Sequence, residues 1–103
     1  MYVVAIDASK DDLEGTDYKV FERRKDAEDR FYRAWALILR QKPVFEPSRP
    51  VHLYAARLYE IDAWHPHAAV AAVRAGSATL IMDTDDPDLS IDLEELVPDL
   101  FAD

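Results

Sequence analysis

The sequence predicts an α+β fold, a two-layer sandwich in which a four-stranded sheet carries two helices on one face in the order β-β-α-β-α-β, followed by a short acidic helical segment. Three observations lead there. A stretch of helical period runs from about Asp26 to Lys42, β-branched and aromatic runs flank it at Tyr2–Ile6, Tyr18–Phe21, Val51–Asp62 and Ala78–Met82, and an Ala-rich stretch follows His65-Pro66-His67.

Tyr2–Ile6 and Tyr18–Phe21 read as the arms of a hairpin. Between them Asp7–Asp17 holds five acids, Ser9, Lys10 and Gly15, which reads as a long solvated loop. The first helix is marked by Ala27, Phe31, Ala34, Trp35 and Ile38, which recur every three or four residues. Asp26, Glu28 and Asp29 near its start and Arg40 and Lys42 near its end suit the helix dipole, and Pro43 stops it. Pro43–Pro50 contains three prolines and reads as a stiff connector.

Val51–Asp62 is long for one strand and predicts a bulge near Ala55-Ala56, with Leu53, Ala55, Tyr59 and Ile61 on one face. Pro66 suits the first position of the second helix, His65 its cap, and Gly76 the left-handed residue beyond its last turn.

The chain has 103 residues and a net charge of −9. That charge is unevenly placed. Residues 1–82 carry all 12 Lys and Arg and 12 of the 21 Asp and Glu, so they form a charge-balanced core domain, and residues 83–103 hold the whole acidic excess. The acidic segment is expected to pack on that core or on a second subunit. Asp92 and Glu95 make a capping-box-like start, and Leu93, Leu96, Val97 and Leu100 fall on one helical face with Phe101 beside them. Leu93, Leu96, Leu100 and Phe101 are therefore the expected docking residues. Pro98 restricts the helix to one or two turns, too little to persist without packing.

The absence of cysteine excludes disulfides, thiolate metal sites and cysteine nucleophiles. Two glycines are too few for a phosphate-cradling loop, and with no Asn and one Gln an oxyanion hole would depend on backbone amides and arginines. No cofactor and no catalytic residue are expected. His65 and His67, with Glu60, Asp62 and Trp64, form the one candidate cluster for a ligand, but Pro66 favours a helix-entry role over metal binding. Asp83, Asp85 and Glu94 stand at positions of a calcium loop, yet Pro87, Asp88 and Ser90 occupy places that such a loop cannot give them.

Arginines around the first helix are spaced to pair with Asp26 and Asp29, so no nucleic-acid binding is expected. No apolar run is long enough for a membrane span, and no basic leader opens the chain, so the cytoplasm is the expected location. The function class that remains is a small non-enzymatic interaction or regulatory module, contacting a protein partner or itself. A small-ligand-binding protein or enzyme with a His/carboxylate pocket, and an acidic nucleic-acid mimic, are the rival readings, and no particular small-molecule ligand is implied.

Overall fold

The structure, a computed structural model, describes residues 1–10, 13–41, 44–45 and 50–101. It is a single α+β domain built on one antiparallel sheet. In chain order the elements are β1 (Tyr2–Lys10), β2 (Leu13–Phe21), α1 (Arg24–Arg40), β3 (Val44–Phe45), β4 (Pro50–Glu60), α2 (Pro66–Arg74), β5 (Thr79–Asp83) and α3 (Leu93–Leu96), with a 3₁₀ turn over Pro98–Leu100. The predicted α+β class, with its sheet and two main helices, is observed, and every strand pair is antiparallel. The sheet order is β2-β1-β4, and β3 and β5 share the far edge of β4, so the sheet is four strands wide with five strands in it. No helix among the described residues is long and apolar enough to cross a membrane.

The run Val3–Ile6 is almost wholly buried, because successive residues of a strand point to opposite sides and both sides are covered. Val4 and Ile6, with Ala56 and Leu58 of β4, meet Ala27, Phe31 and Ala34 of α1. Val3, with Ile61, meets Ala69 of α2, and Val20 and Tyr59 pack around them. Within the predicted class the two helices thus address alternate side chains of β1, α1 on one side of the sheet and α2 on the other.

The helix boundaries follow their sequence signals. His65 caps α2, its Nδ1 accepting from the Ala68 backbone N–H at 3.4 Å, Pro66 takes the first helical position, and Gly76 adopts a left-handed φ of 76° after the helix. Helix α1 ends at Arg40, with Gln41 left-handed at φ 53° and its N–H turned back to the Leu37 and Ile38 carbonyls. Pro43 and most of the predicted connector lie outside the described residues.

Two expectations change. The acid-rich stretch after Ile6 is not a long loop: β1 and β2 continue as a paired ribbon through Asp7↔Thr16, Ala8↔Gly15, Ser9↔Glu14 and Lys10↔Leu13. Thr16 Oγ1 donates to Asp7 Oδ1 across the two strands at 2.6 Å, a polar cross-strand pair within the ribbon. The bulge expected near Ala55-Ala56 lies at Tyr54, since Asp7 pairs with Ala55 and Ala8 with Leu53, and it changes the expected face of Leu53. That extra residue reverses the alternation, and Leu53 joins Ala56 and Leu58 under α1 instead of lining up with Ala55.

The acidic segment crosses α1. Leu93 and Val97 bury against Ala36, with Tyr32, Trp35, Ile91, Leu100 and Phe101 packed around them. Asp92 caps α3, its Oδ1 accepting from the Glu95 N–H at 3.3 Å, and Asp99 meets Arg33 at 3.1 Å. Leu93 is 5% exposed and Leu96 is 47% exposed, so the two leucines carry different weight. Leu93→Ala should destabilise the domain by about 2–5 kcal/mol, through lost transfer energy and the cavity left behind. Leu96→Ala should cost less than about 1 kcal/mol. Urea denaturation of the two variants beside the parent checks the difference, and equal losses would contradict this packing.

Candidate functional site

The two edges of the sheet are built differently. The outer side of β4 is occupied by β3 at one end and β5 at the other. Strand β2 has β1 on one side and no strand on the other among the described residues. It runs nine residues in unbroken register with β1, without a bulge or a proline to end pairing, and Leu13–Asp17 is exposed throughout. Such an edge presents a row of backbone N–H and C=O groups to another chain. Its α1-side residues are Leu13, Gly15, Asp17, Lys19 and Phe21, and Glu14, Thr16, Tyr18 and Val20 face the α2 side. Asp17 and Lys19 pair along the strand at 3.2 Å, with side chains 60% and 46% exposed. Nothing lies within 4 Å of where a Gly15 Cβ would stand.

A groove of about 330 Å³ lies beside this edge on the α1 side. Ile6 and Ala56 pair in register and are the last fully buried residues of their strands beneath α1. Beyond them Ala8, Val51 and Leu53 continue as an apolar floor with Ile6, rimmed by Asp17, Lys19 and Arg30. A shallower hollow of about 310 Å³ continues past Ala8 and Gly15 to Leu13, which is 75% exposed.

The opposite side of the same ribbon holds a polar brace. Arg57 of β4 clamps Asp7 of β1 with two hydrogen bonds, Nη1 to Oδ2 at 2.8 Å and Nη2 to Oδ1 at 3.1 Å, and Thr16 of β2 donates to the same carboxylate. Arg57 Nε also donates to the Tyr59 hydroxyl at 3.1 Å. The side chains of Asp7 and Arg57 are only 15% and 26% exposed. The Arg57 hydrogen bond chiefly holds the Asp7 carboxyl below its ordinary value of 3.8; burial opposes this, and the Thr16 bond and the charge of Arg57 add to it. The bond to Asp7 raises Arg57, against a smaller desolvation. One ion pair therefore ties β2, β1 and β4 together ahead of the open edge.

The residues singled out from sequence as a ligand cluster do not line this groove. Glu60, Asp62, His65 and His67 are exposed, and Trp64 is 97% exposed. The His65 and His67 rings meet edge to face at 6.1 Å, and His65 is engaged as the α2 cap. Among the described residues no three His, Asp or Glu side chains gather as a metal site. Asp83 and Asp86 accept backbone N–H bonds from Asp85 and Asp88, both at 2.9 Å, as turn-forming side chains do. Of the expected docking residues, Leu93, Leu100 and Phe101 join the cluster on α1, with Arg40 over the Phe101 ring at 5.5 Å. Leu96 points outward, and Val97 takes the buried place.

Sequence reasoning missed the Asp7–Arg57 brace and the open edge. Both depend on reading Asp7–Asp17 as strand, and the available signal was alternation of polar type, which apolar periodicity does not register. In comparisons with protein-family models, curated proteins and solved structures, nothing matches this chain.

The brace has a pH signature. A carboxyl whose folded pKa is lowered contributes stability above its unfolded value and loses it as pH falls through the folded value. Asp7→Asn should therefore cost about 1–3 kcal/mol at neutral pH. The gap between parent and variant should stay flat down to about pH 5 and close as the pH falls below about 4. Urea titrations across that range measure it, and a gap that does not change in acid would contradict the assignment to the ionised Asp7.

Proposed function

We propose that the domain is a small non-enzymatic interaction or regulatory module, working in the cytoplasm, that receives a strand of another polypeptide at the open edge of β2. The observation that carries this reading is the nine-residue edge itself, in unbroken register and held in place by the Asp7–Arg57–Thr16 brace. Strand addition draws affinity from main-chain hydrogen bonds and specificity from pockets for alternate side chains. The groove floored by Ile6, Ala8, Val51 and Leu53 would supply such a pocket.

The placement of charge favours a protein partner over nucleic acid. On α1, Arg24 is engaged by Glu28 at 2.9 Å, Arg33 by Asp99 and Arg40 by the ring of Phe101. The acidic segment, docked through Leu93 and Val97, keeps α1 occupied and leaves the β2 edge as the contact surface.

Placing a photocrosslinking residue at Glu14 of β2, and separately at Glu94 of α3, tests the proposal in the cell of origin. Polypeptide adducts should form at Glu14 and not at Glu94. They should be lost in a Thr16→Lys variant that keeps its fold by circular dichroism, because a lysine on an edge strand opposes pairing. Adducts at Glu94 alone, or Glu14 adducts indifferent to Thr16→Lys, would overturn it.

A further inference from the structure

We propose that the polypeptide received by β2 is a second copy of this chain, the two strands pairing antiparallel about a two-fold axis at Tyr18 to make one continuous sheet across a dimer. This inference rests on the reading of β2 as a strand-receiving edge. It adds the identity of the partner and the register.

The argument begins with symmetry. Two identical antiparallel strands related by a two-fold axis normal to the sheet place one residue opposite its own copy, and each other residue opposite its mirror position along the strand. Directly opposed side chains share a face of the sheet and interact, favourably for opposite charges and unfavourably for like charges. Only a few residues can hold the axis near the middle of β2. An axis at Asp17 sets two carboxylates against each other, and an axis at Lys19 sets two ammonium groups against each other. An axis at Thr16 opposes Asp17 to Gly15 and Lys19 to Leu13, so neither charge is matched.

An axis at Tyr18 matches Asp17 and Lys19 to each other, with Glu14 and Glu22 beyond the paired residues. Asp17 then faces the other copy's Lys19, and Lys19 the other copy's Asp17, on the α1 side where both already stand in ion-pairing geometry. Phe21 faces Gly15, whose missing side chain leaves open space over the backbone, and an aromatic ring lying across an edge glycine is a stabilising cross-strand arrangement. On the α2 side Thr16 faces Val20, and the two Tyr18 rings meet at the axis, each already held beneath Arg74, whose guanidinium lies 5.9 Å from the ring centre. The pairing covers Gly15–Phe21 of each chain.

The net charge of −9 does not bar this contact. The acidic excess belongs to the segment docked on α1 through Leu93 and Val97. The charged residues of β2 itself are Glu14, Asp17 and Lys19.

Charge reversal in the full chain tests both partner and register, because Asp17 and Lys19 are exposed and their exchange leaves the core untouched. Sedimentation velocity should show the parent as a dimer at about 0.1 mM, a concentration that populates even a small transient interface. Asp17→Lys alone and Lys19→Asp alone each create two like-charge pairs by symmetry and should weaken dimerisation about tenfold or more. The Asp17→Lys, Lys19→Asp double variant restores both pairs and should recover the parent dimer. A double variant as weak as the single ones would overturn the register, and a monomeric parent would overturn the proposal. Glu14 crosslinks of twice the chain mass support it. Crosslinks only to a different polypeptide would sink the self-pairing while leaving the reading of β2 as a strand-receiving edge standing; loss of all Glu14 crosslinks would remove both.

Discussion

Val3–Ile6 must be covered on both sides at once, and the rest of the architecture answers that demand. A strand apolar at every position has no solvent face to offer, so one helix on one side of the sheet cannot bury it. Helix α1 satisfies Val4 and Ile6 through Phe31 and its flanking alanines. On the other side α2 reaches Val3 but covers only part of the surface. Ala5, fully buried, stands in register between Arg57 and Tyr18, so long polar side chains cover it where the helix does not. The guanidinium lying there needs a counter-charge, and Asp7, two residues further along the same face of β1, supplies it.

This chain of dependence explains why some of the fold was legible from sequence and some was not. Helix α1 announced itself because its apolar stripe repeats with helical period over many turns, and α2 because His65, Pro66 and Gly76 are each suited to their place at a helix end. The outer ribbon of β1 and β2 carried no such signal. Its residues pair by hydrogen bonds between polar groups, and composition alone assigns Asp7, Ser9, Glu14 and Asp17 to a loop. The bulge was visible in the length of β4 and lies at Tyr54, beside the expected Ala55-Ala56, but its effect on alternation was not, and the extra residue sets Leu53 on the other side of the sheet from Ala55.

The acidic segment shows the same division. Its cap and its apolar pattern were evident, and Asp92 does cap α3. The helix then ends at Leu96, and Val97 leaves helical geometry with φ −135° and ψ 62° before the 3₁₀ turn at Pro98. Leu96 lies inside the single turn of α3 yet is 47% exposed, while Leu93 and Val97, four residues apart, take the buried side, so a face drawn wide enough to hold Leu93, Leu96, Val97 and Leu100 is wider than one short turn buries.

The open edge of β2 raises a question of selectivity, since an unpaired strand attracts any chain with free backbone groups. Asp17 and Lys19, on the same face and two residues apart, answer it by their order. A strand meeting β2 in a register that opposes like charges pays repulsion, and one that opposes unlike charges does not, so two residues discriminate among registers that the backbone alone treats as equal. The acidic surplus of the chain works on a different scale, keeping molecules apart at long range in low salt while leaving short-range pairing to the residues on the edge. Distance thus separates two kinds of charge in this molecule: the acidic excess sits on the segment packed against α1, and the exposed pair of opposite sign sits on β2.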